Sequence, residues 1–271
     1  MLSPEYQLRG VGAVLNSEFV QTNEVSTAAG ITEAAQKTLH RAGWMDLGAI
    51  PLYARPLSTE GIRAGFPCSN VKGYLATLFG WPLLRFLEGC WLLSVYRKDI
   101  RLESIDKFDN RVDIIWENTK NNYPLLARRD LKNLRWRFDA APEPERYHKY
   151  YLYQGDKPKG YAVICYGKRG DRPAAILTDF LCPPKLQNAL FTLCITACRI
   201  NGASDLHCAI LSPHVTAADM KKFGFIPLPI RSRFMVFADR DKGAPHELLA
   251  NPENWFITMA DSDMEWMYFQ E

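Results

Sequence analysis

The sequence predicts an α+β fold with a mixed, mainly antiparallel central sheet and flanking helices. Three consecutive stretches near the middle of the chain have the β-branched and aromatic content of strands, at 147–154, 160–166 and 174–181. After them the pattern alternates between helix and strand, which indicates a mixed sheet rather than a doubly wound parallel one. With 47% hydrophobic residues, the 271-residue chain also has enough apolar material for a buried core.

The remaining elements of this region are predicted from local spacing and caps. Helices at 112–118 and 129–138 each have an apolar face, with Asn110 and Asp130 as predicted N-caps. Residues 155–159 suit a hairpin turn between the first two strands. The later elements are an apolar helix at 186–200 ended by Asn201-Gly202, a strand at 206–211, a short helix at 216–223 stopped by Gly224, and a strand at 234–238.

The beginning of the chain repeats the second half of this pattern. It contains a helix at 11–20, a strand at 24–29 and a helix at 32–41, and Ala42-Gly43-Trp44 corresponds to Phe223-Gly224-Phe225. We interpret this as an internal repeat whose first copy starts in its middle. The predicted domains are a partial domain at 1–57, apolar linker helices at 58–104, a complete domain at 105–240 and a C-terminal tail at 241–271.

Composition and charge exclude several classes of protein. A formal net charge of +3 is too small to indicate a nucleic-acid-binding protein. The seven cysteines form no CxxC pair and several lie in apolar runs, so we interpret them as core residues and predict no metal site. No signal peptide is visible, and a reducing compartment, the cytoplasm, is the expected location. The sequence leaves a homo-oligomer open.

The apolar stretch 75–95 has about the length of a membrane span. Arg85, Glu88 and Pro82 argue against a full span, because charges are costly in a bilayer and proline interrupts a helix. We therefore expect a broken, mostly buried helix pair. A peripheral membrane contact through 75–95 is the alternative.

The best local motif is a glycine-containing loop before the first helix, formed by Gln7, Leu8, Arg9, Gly10, Val11, Gly12 and Ala13. Glycines two apart at a helix start let the backbone approach a ligand, and the helix N-terminus carries partial positive charge. The loop is therefore suited to a pyrophosphate group, although two glycines before a helix are also ordinary turn chemistry.

This loop, followed by 34–44 (AAQKTLHRAGW), resembles the acetyl-CoA loop and the following elements of GNAT-type N-acetyltransferases. The segments 129–137, 160–163 and 255–263 are similar to those of a bacterial tandem-GNAT subgroup, of which this chain would have an N-terminally truncated first copy. The resemblance implies a GNAT-like fold, backbone amides of 7–13 on the pyrophosphate of acetyl-CoA, and a pantetheine arm paired with a splayed strand. An amine acceptor would attack the thioester directly.

Two departures from the family pattern bear on activity. The first copy lacks the elements that normally precede its loop, so it is truncated or borrows its missing strands. In the second copy the corresponding loop, 182–188, contains Pro183 and Pro184 and no glycine, and prolines supply no amide donor.

Catalytic groups are not assigned by the sequence. The family often has a tyrosine acid where this chain has Leu39 and Met220. Asp179 lies on the strand where the family often has a carboxylate base, but a hydrogen-bonded structural aspartate is the alternative. The histidines His148, His207 and His214 lie far apart in the sequence without a recognisable partner.

The sequence therefore predicts an N-acetyltransferase that moves an acetyl group from acetyl-CoA to a small-molecule or peptide amine, without a metal. One alternative is a catalytically inactive GNAT-fold binding or assembly module. Another is a membrane-near acyltransferase of cell-wall or exopolysaccharide synthesis, held at the membrane by 75–95.

Overall fold

The computed structural model describes residues 11–31, 33–65, 76–229, 232–239, 241–262, 265 and 269. The helices are α1 Val11–Thr22, α2 Glu33–Arg41, α3 Thr59–Gly65, α4 Trp81–Tyr96, α5 Arg111–Thr119, α6 Leu131–Leu134, α7 Gln187–Ile200, α8 Ala217–Lys222 and α9 His246–Ala250. The strands are β1 Val25–Ile31, β2 Met45–Ile50, β3 Leu52–Pro56, β4 Ile100–Ile105, β5 Leu125–Leu126, β6 Tyr147–Gln154, β7 Lys157–Arg169, β8 Arg172–Leu181, β9 Asp205–Ala209, β10 Ile226–Pro227, β11 Ser232–Ala238 and β12 Trp255–Phe256.

The central feature is a seven-stranded sheet in the order β10-β3-β9-β8-β7-β6-β4. Its pairs are antiparallel except for the parallel pair β8–β9. A three-stranded antiparallel sheet has the order β1-β11-β2, and the short strands β12 and β5 pair in parallel. The predicted mixed, mainly antiparallel sheet with flanking helices is confirmed.

Two segments of the chain have the same order of elements and exchange their last strands. The first segment, residues 11–56, runs α1-β1-α2-β2-β3, and the second segment, residues 187–238, runs α7-β9-α8-β10-β11. Strand β3 of the first segment lies between β9 and β10, and β11 of the second lies between β1 and β2. Neither segment completes its sheet without the other.

The second helix ends in the same way in both segments. Gly43 and Gly224 have φ angles of +84° and +77°, the left-handed conformation that glycine adopts readily. The next residue, Trp44 or Phe225, donates its N–H to a carbonyl five residues earlier, at 3.1 Å in each case, and is buried. The expected correspondence between 42–44 and 223–225 therefore holds in local geometry.

The core lies between the large sheet and α7, nine of whose fourteen residues are buried. The expected core position of the cysteines holds for five of them and fails for Cys90, which is exposed on α4. Cys68 lies outside the described residues. The buried cysteines are Cys165, Cys182, Cys194, Cys198 and Cys208.

The segment 75–95 differs from the expectation of a broken, mostly buried helix pair. A π-helical turn, Ala76–Gly80, leads directly into α4, and Pro82 is in the first turn of α4, where its missing N–H removes no hydrogen bond. Glu88 and Val95 are the buried residues of α4, and most of the helix is exposed. The stretch just after it also differs, because 100–104, expected in the linker, belong to β4 of the large sheet.

Two local predictions near the following helices need correction. Asn110 makes no side-chain cap bond, and the Asp109 carboxylate accepts the Arg111 N–H instead, at 3.0 Å. Asp130 does cap its helix by accepting the Asn133 N–H at 2.9 Å. That helix is shorter than expected, because α6 passes into a wider turn at Arg135–Asp139.

Candidate functional site

The parallel pair β8–β9 is the part of the large sheet with the most distinctive geometry. Pairing runs from Ala174 and Asp205 to Ile176 and His207 and ends there, although β8 continues to Leu181. Because the two parallel strands diverge beyond this point, a gap opens between their carboxyl ends. A gap of this kind is where the GNAT resemblance places the pantetheine arm of an acyl donor.

The gap is bridged by the chain itself, through residues 255–261, which we call the tail segment. Ile257 exchanges two backbone hydrogen bonds with Leu211, just beyond β9, at 2.8 and 3.0 Å. The next residue, Thr258, donates its hydroxyl to the Asp179 carboxylate of β8 at 2.9 Å. The Phe256 ring packs edge-on against Phe180, with ring centroids 5.3 Å apart. The tail segment thus joins the two strands past the end of their pairing.

Asp179 is the centre of a buried ionic network. It is 1% exposed and accepts hydrogen bonds from Arg129 at 3.2 Å, from the Tyr161 hydroxyl at 2.7 Å and from Thr258. Arg129 also donates to the Asp261 carboxylate at 2.7 Å, so one guanidinium joins the loop before α6 to β8 and the tail segment.

Burial and charge act in opposite directions on the groups of this network. Burial raises the pKa of Asp179 above its ordinary value, and Arg129 opposes that shift. Burial acts to lower the pKa of Arg129, but Asp179 and Asp261 outweigh it and raise that pKa. Burial beside Asp179 also holds the pKa of Tyr161 well above its ordinary value.

These contacts favour the structural alternative for Asp179. Both of its oxygens are occupied by donors, so neither is free to accept a proton from an amine in this conformation. A small cavity of about 150 Å³ reaches it between Arg129, Trp136 and Asp261.

The loop before α7 does not form a pyrophosphate cradle. Pro183 and Pro184 have no N–H, and the Leu186 N–H donates to the Pro183 carbonyl at 2.8 Å. At the start of α7, Gln187 is buried and donates to the Tyr123 hydroxyl at 3.0 Å. With the gap between β8 and β9 bridged as well, the residues here do not fit an acyl-CoA molecule.

The predicted cofactor loop lies mostly outside the described residues. Gln7, Leu8, Arg9 and Gly10 are not described, and Val11, Gly12 and Ala13 form the first turn of α1. In the order of the chain, this loop comes before α1 just as the loop 182–188, with its two prolines, comes before α7.

The other candidate residues have different partners and are not brought together. The His148 ring packs against Tyr166 at 4.5 Å, His207 Nε2 lies 2.8 Å from Asp205 Oδ1, and His214 Nε2 lies 2.7 Å from the Asn122 carbonyl oxygen. Leu39 and Met220 lie at corresponding helix ends, and Met220 is buried. Within the described parts of the chain, no group of three or more His, Cys, Asp or Glu side chains could hold a metal ion.

The basic run 128–137 is not a uniformly solvated helix face. Arg129 is 3% exposed, and Arg137 pairs with the buried Glu265 near the end of the chain. Arg137 also donates to the Ala260 and Ser262 carbonyl groups. The available signal was the acidic character of the tail, which offers Asp261 and Glu265 as partners.

A larger cavity, of about 490 Å³, lies where α4, α7 and α8 meet, and no sequence pattern indicated it. Its lining residues come from segments far apart in the sequence. They include Trp91, Lys98, Lys185, Asn188, Lys222 and Phe223.

No protein-family model matches the chain, and no curated protein matches it. Among solved structures, it is similar to a GCN5-related N-acetyltransferase from Anabaena variabilis, with a TM-score of 0.51, 14% identity, and coverage of 87% of this chain and 52% of that one. It is also similar to a probable N-acyltransferase from Enterococcus faecalis, with a TM-score of 0.52, 13% identity and coverage of 87% and 52%. The chain spans about half the length of each.

At these identities the similarity concerns the fold. The chain has the fold of the GCN5-related N-acetyltransferases, which confirms the GNAT-like fold expected from sequence.

Proposed function

We propose that this protein is an acyl-CoA-dependent N-acyltransferase whose donor site is the loop 7–13 before α1. The observation that carries the proposal is the GNAT fold, combined with the position of this loop in the first segment. In the corresponding loop before α7, Pro183 and Pro184 supply no amide donor, and the gap between β8 and β9 is bridged. The donor is therefore assigned to the first segment.

Backbone groups do the binding in this proposal. Acetyl-CoA, when bound, would supply an acyl thioester that reacts with an amine. The N–H groups of Gly10, Val11, Gly12 and Ala13 would hold its pyrophosphate, supported by the partial positive charge at the start of α1. The acceptor is a small-molecule or peptide amine, and no side chain of the described network is assigned as its base.

A second candidate function is a GNAT-fold binding or assembly module without catalysis. It is favoured by the bridged gap between β8 and β9, where the Thr258 hydroxyl donates to the Asp179 carboxylate across the place of a donor. In that case the tail segment and the ionic network serve stability alone.

Thermal unfolding with acetyl-CoA separates the two candidates. A ligand at about 100 times its dissociation constant adds about 2.7 kcal/mol to the free energy of unfolding, which raises the midpoint visibly. The test variant is Gly10→Asp/Gly12→Asp, which places negative charge where the pyrophosphate would bind. Lys185→Glu is the matched control, because it makes the same change of two charge units in the corresponding loop, 182–188.

We expect acetyl-CoA to stabilise the parent and Lys185→Glu equally, and to leave Gly10→Asp/Gly12→Asp unchanged. A panel of amines should then release free CoA thiol with the parent and with Lys185→Glu, and not with Gly10→Asp/Gly12→Asp. Loss of the shift in Lys185→Glu alone would move the donor site to the second segment. No shift in the parent would establish the non-catalytic module.

A further inference from the structure

Helix α4 is oriented against the usual rule for a surface helix. Its outward face carries Leu83, Phe86, Cys90 and Leu93, spaced three or four residues apart. Phe86 is 69% exposed and Leu93 60%, while Glu88 is 6% exposed and faces the protein. A soluble helix normally does the opposite, with its apolar stripe inward and its charges outward.

The inward charges hold the helix in this orientation. Glu88 pairs with Arg55 of β3, with Arg199 of α7 and with Arg85 of its own helix. Arg55 is fully buried, and its Nε–H also donates to the Phe223 carbonyl. Turning α4 to hide its apolar face would break these pairs and leave buried charges without partners, which is strongly unfavourable.

The apolar face is long and nearly free of polar groups. It begins in the preceding turn with Leu78 and Phe79, which is 66% exposed, and continues to Tyr96. Among the described residues, Leu78–Tyr96 is the helical stretch whose length and composition could match a membrane span. Because Glu88 is tied to the body of the protein, the stretch lies along the surface instead.

The flank of α4 adds positive charge to this apolar face. The 490 Å³ cavity beside it is lined by Lys98, Lys185, Lys222 and Trp91 among others, and none of its described lining residues is Asp or Glu. Lys222 also pairs with Asp219 at 3.0 Å. Beneath the helix, three arginines share the single carboxylate of Glu88, so that cluster carries excess positive charge as well.

An apolar face with a cationic flank complements an anionic bilayer surface. The apolar side chains would enter the boundary between headgroups and acyl chains, and basic residues would meet the lipid phosphates. We propose that α4 lies in the surface of an anionic membrane, with a lipid phosphate headgroup in the lysine-lined cavity. This inference does not depend on acyl transfer.

The exposed thiol of Cys90 provides a direct probe of this contact. In a Cys68→Ser background, Cys90 can be labelled selectively with an environment-sensitive fluorophore, since the other five cysteines are buried. We expect a blue shift with vesicles of equimolar phosphatidylcholine and phosphatidylserine, and none with phosphatidylcholine alone. The matched control carries the label on α5, as Ile114→Cys/Cys90→Ser/Cys68→Ser, because Ile114 is also exposed, and should show no shift.

Vesicle co-sedimentation tests whether the exposed apolar side chains of α4 and the lysines beside it are required for membrane binding. Phe86→Ser/Leu93→Ser should weaken binding to the anionic vesicles at least about tenfold, because affinity scales with buried apolar area. Ile114→Ser should bind like the parent. Lys98→Glu/Lys185→Glu should lose the preference for anionic over neutral vesicles. All these positions are exposed, and unchanged thermal midpoints would show that the variants fold.

Two outcomes would overturn the proposal. One is equal vesicle binding by the parent and by Phe86→Ser/Leu93→Ser. The other is a blue shift of the Cys90 label that grows with protein concentration in the absence of vesicles, which would show that a second copy of the chain covers the face.

Discussion

The two repeated segments have the same order of elements but very different surroundings. In the second segment nine residues of α7 are buried, whereas its counterpart in the first segment, α1, has Phe19 51% exposed, and no residue of α2 is buried. Strand β9 of the second segment pairs with β8 and so continues into β7, β6 and β4, while β1 and β2 of the first segment lie in a sheet of three strands. Element order and helix ends thus follow from local sequence, and burial follows from which strands lie next to the segment.

The same contrast holds for the ion pairs that support each part. In the three-stranded sheet Asp46 pairs with Arg233, whose side chain is 35% exposed. Asp46 also lies 3.5 Å from His40, whose side chain is 48% exposed. Around the large sheet, Arg129 and Asp179 are 3% and 1% exposed. Removing one partner costs more stability in a buried ion pair than in an exposed one, because the remaining buried charge cannot be hydrated.

The largest expected difference comes from removing one arginine in each part. Arg129→Met should lower the free energy of unfolding by about 3–5 kcal/mol, because it leaves Asp179 and Asp261 unpaired in the interior. Arg233→Met should cost at most about 1 kcal/mol, as for a partly exposed pair. Urea unfolding monitored by circular dichroism measures both.

The exposed Arg128→Met variant is the control for side-chain loss in the same loop. Adding Asp179→Asn to Arg129→Met should recover part of the stability, because it removes one unpaired charge. Equal losses for Arg129→Met and Arg233→Met would show that burial does not distinguish the two networks.

A smaller difference is expected at the two corresponding helix ends. Gly43→Ala and Gly224→Ala should each cost roughly 1–2 kcal/mol, since alanine disfavours the left-handed conformation. Gly224→Ala should cost more, because its Cβ would lie 2.8 Å from Leu84 Cδ1 of α4, whereas at Gly43 the nearest atom is 3.9 Å away. Thermal melts of the two variants in parallel would decide it, and a larger loss at Gly43 would contradict the structural comparison.

The smallest effect concerns pH. Burial lowers the pKa of His207 below 6.5, although Asp205 opposes that change. The unfolded chain then takes up a proton that the folded protein does not, so stability falls as the pH drops from 6.5 towards the pKa of the folded state. The loss is complete once the pH lies below both pKa values, because the folded and unfolded chains then bind the same number of protons.

Urea midpoints at several pH values between about 8 and 5 test the sign of this linkage. His207→Gln should lose less stability on acidification than the parent. His40→Gln, in the first segment, serves as the matched control for replacing a histidine, because His40 is half exposed. A steeper acid loss in His207→Gln would show that the sign is wrong.

Local sequence predicted the parts of the fold that short-range forces determine. The bounds of β6 match the predicted strand, and those of α7 differ by one residue, because alternation and apolar periodicity are properties of the segment itself. Gly43 and Gly224 end their helices as expected, because only the local backbone conformation is required there.

Contacts between residues far apart in the sequence could not be predicted from local patterns. The exchange of β3 and β11 depends on which edges meet in space, and alternation within a strand does not identify its neighbour. For the same reason the sequence does not predict the hydrogen bond between Asp179 and Thr258, about 80 residues apart, or the buried position of Arg129 beside them. The candidate donor loop at 7–13 stays a prediction.

The exchanged strands also constrain the order in which the protein can form during synthesis. Val25 of β1 pairs with Ala238 of β11, so the three-stranded sheet waits until roughly 200 further residues have left the ribosome, on the order of tens of seconds at ordinary translation speeds. During that interval β1 and β2 have no β11 between them, and such unpaired edges favour aggregation. Nascent β1 and β2 are therefore exposed while most of the rest of the chain is being synthesised.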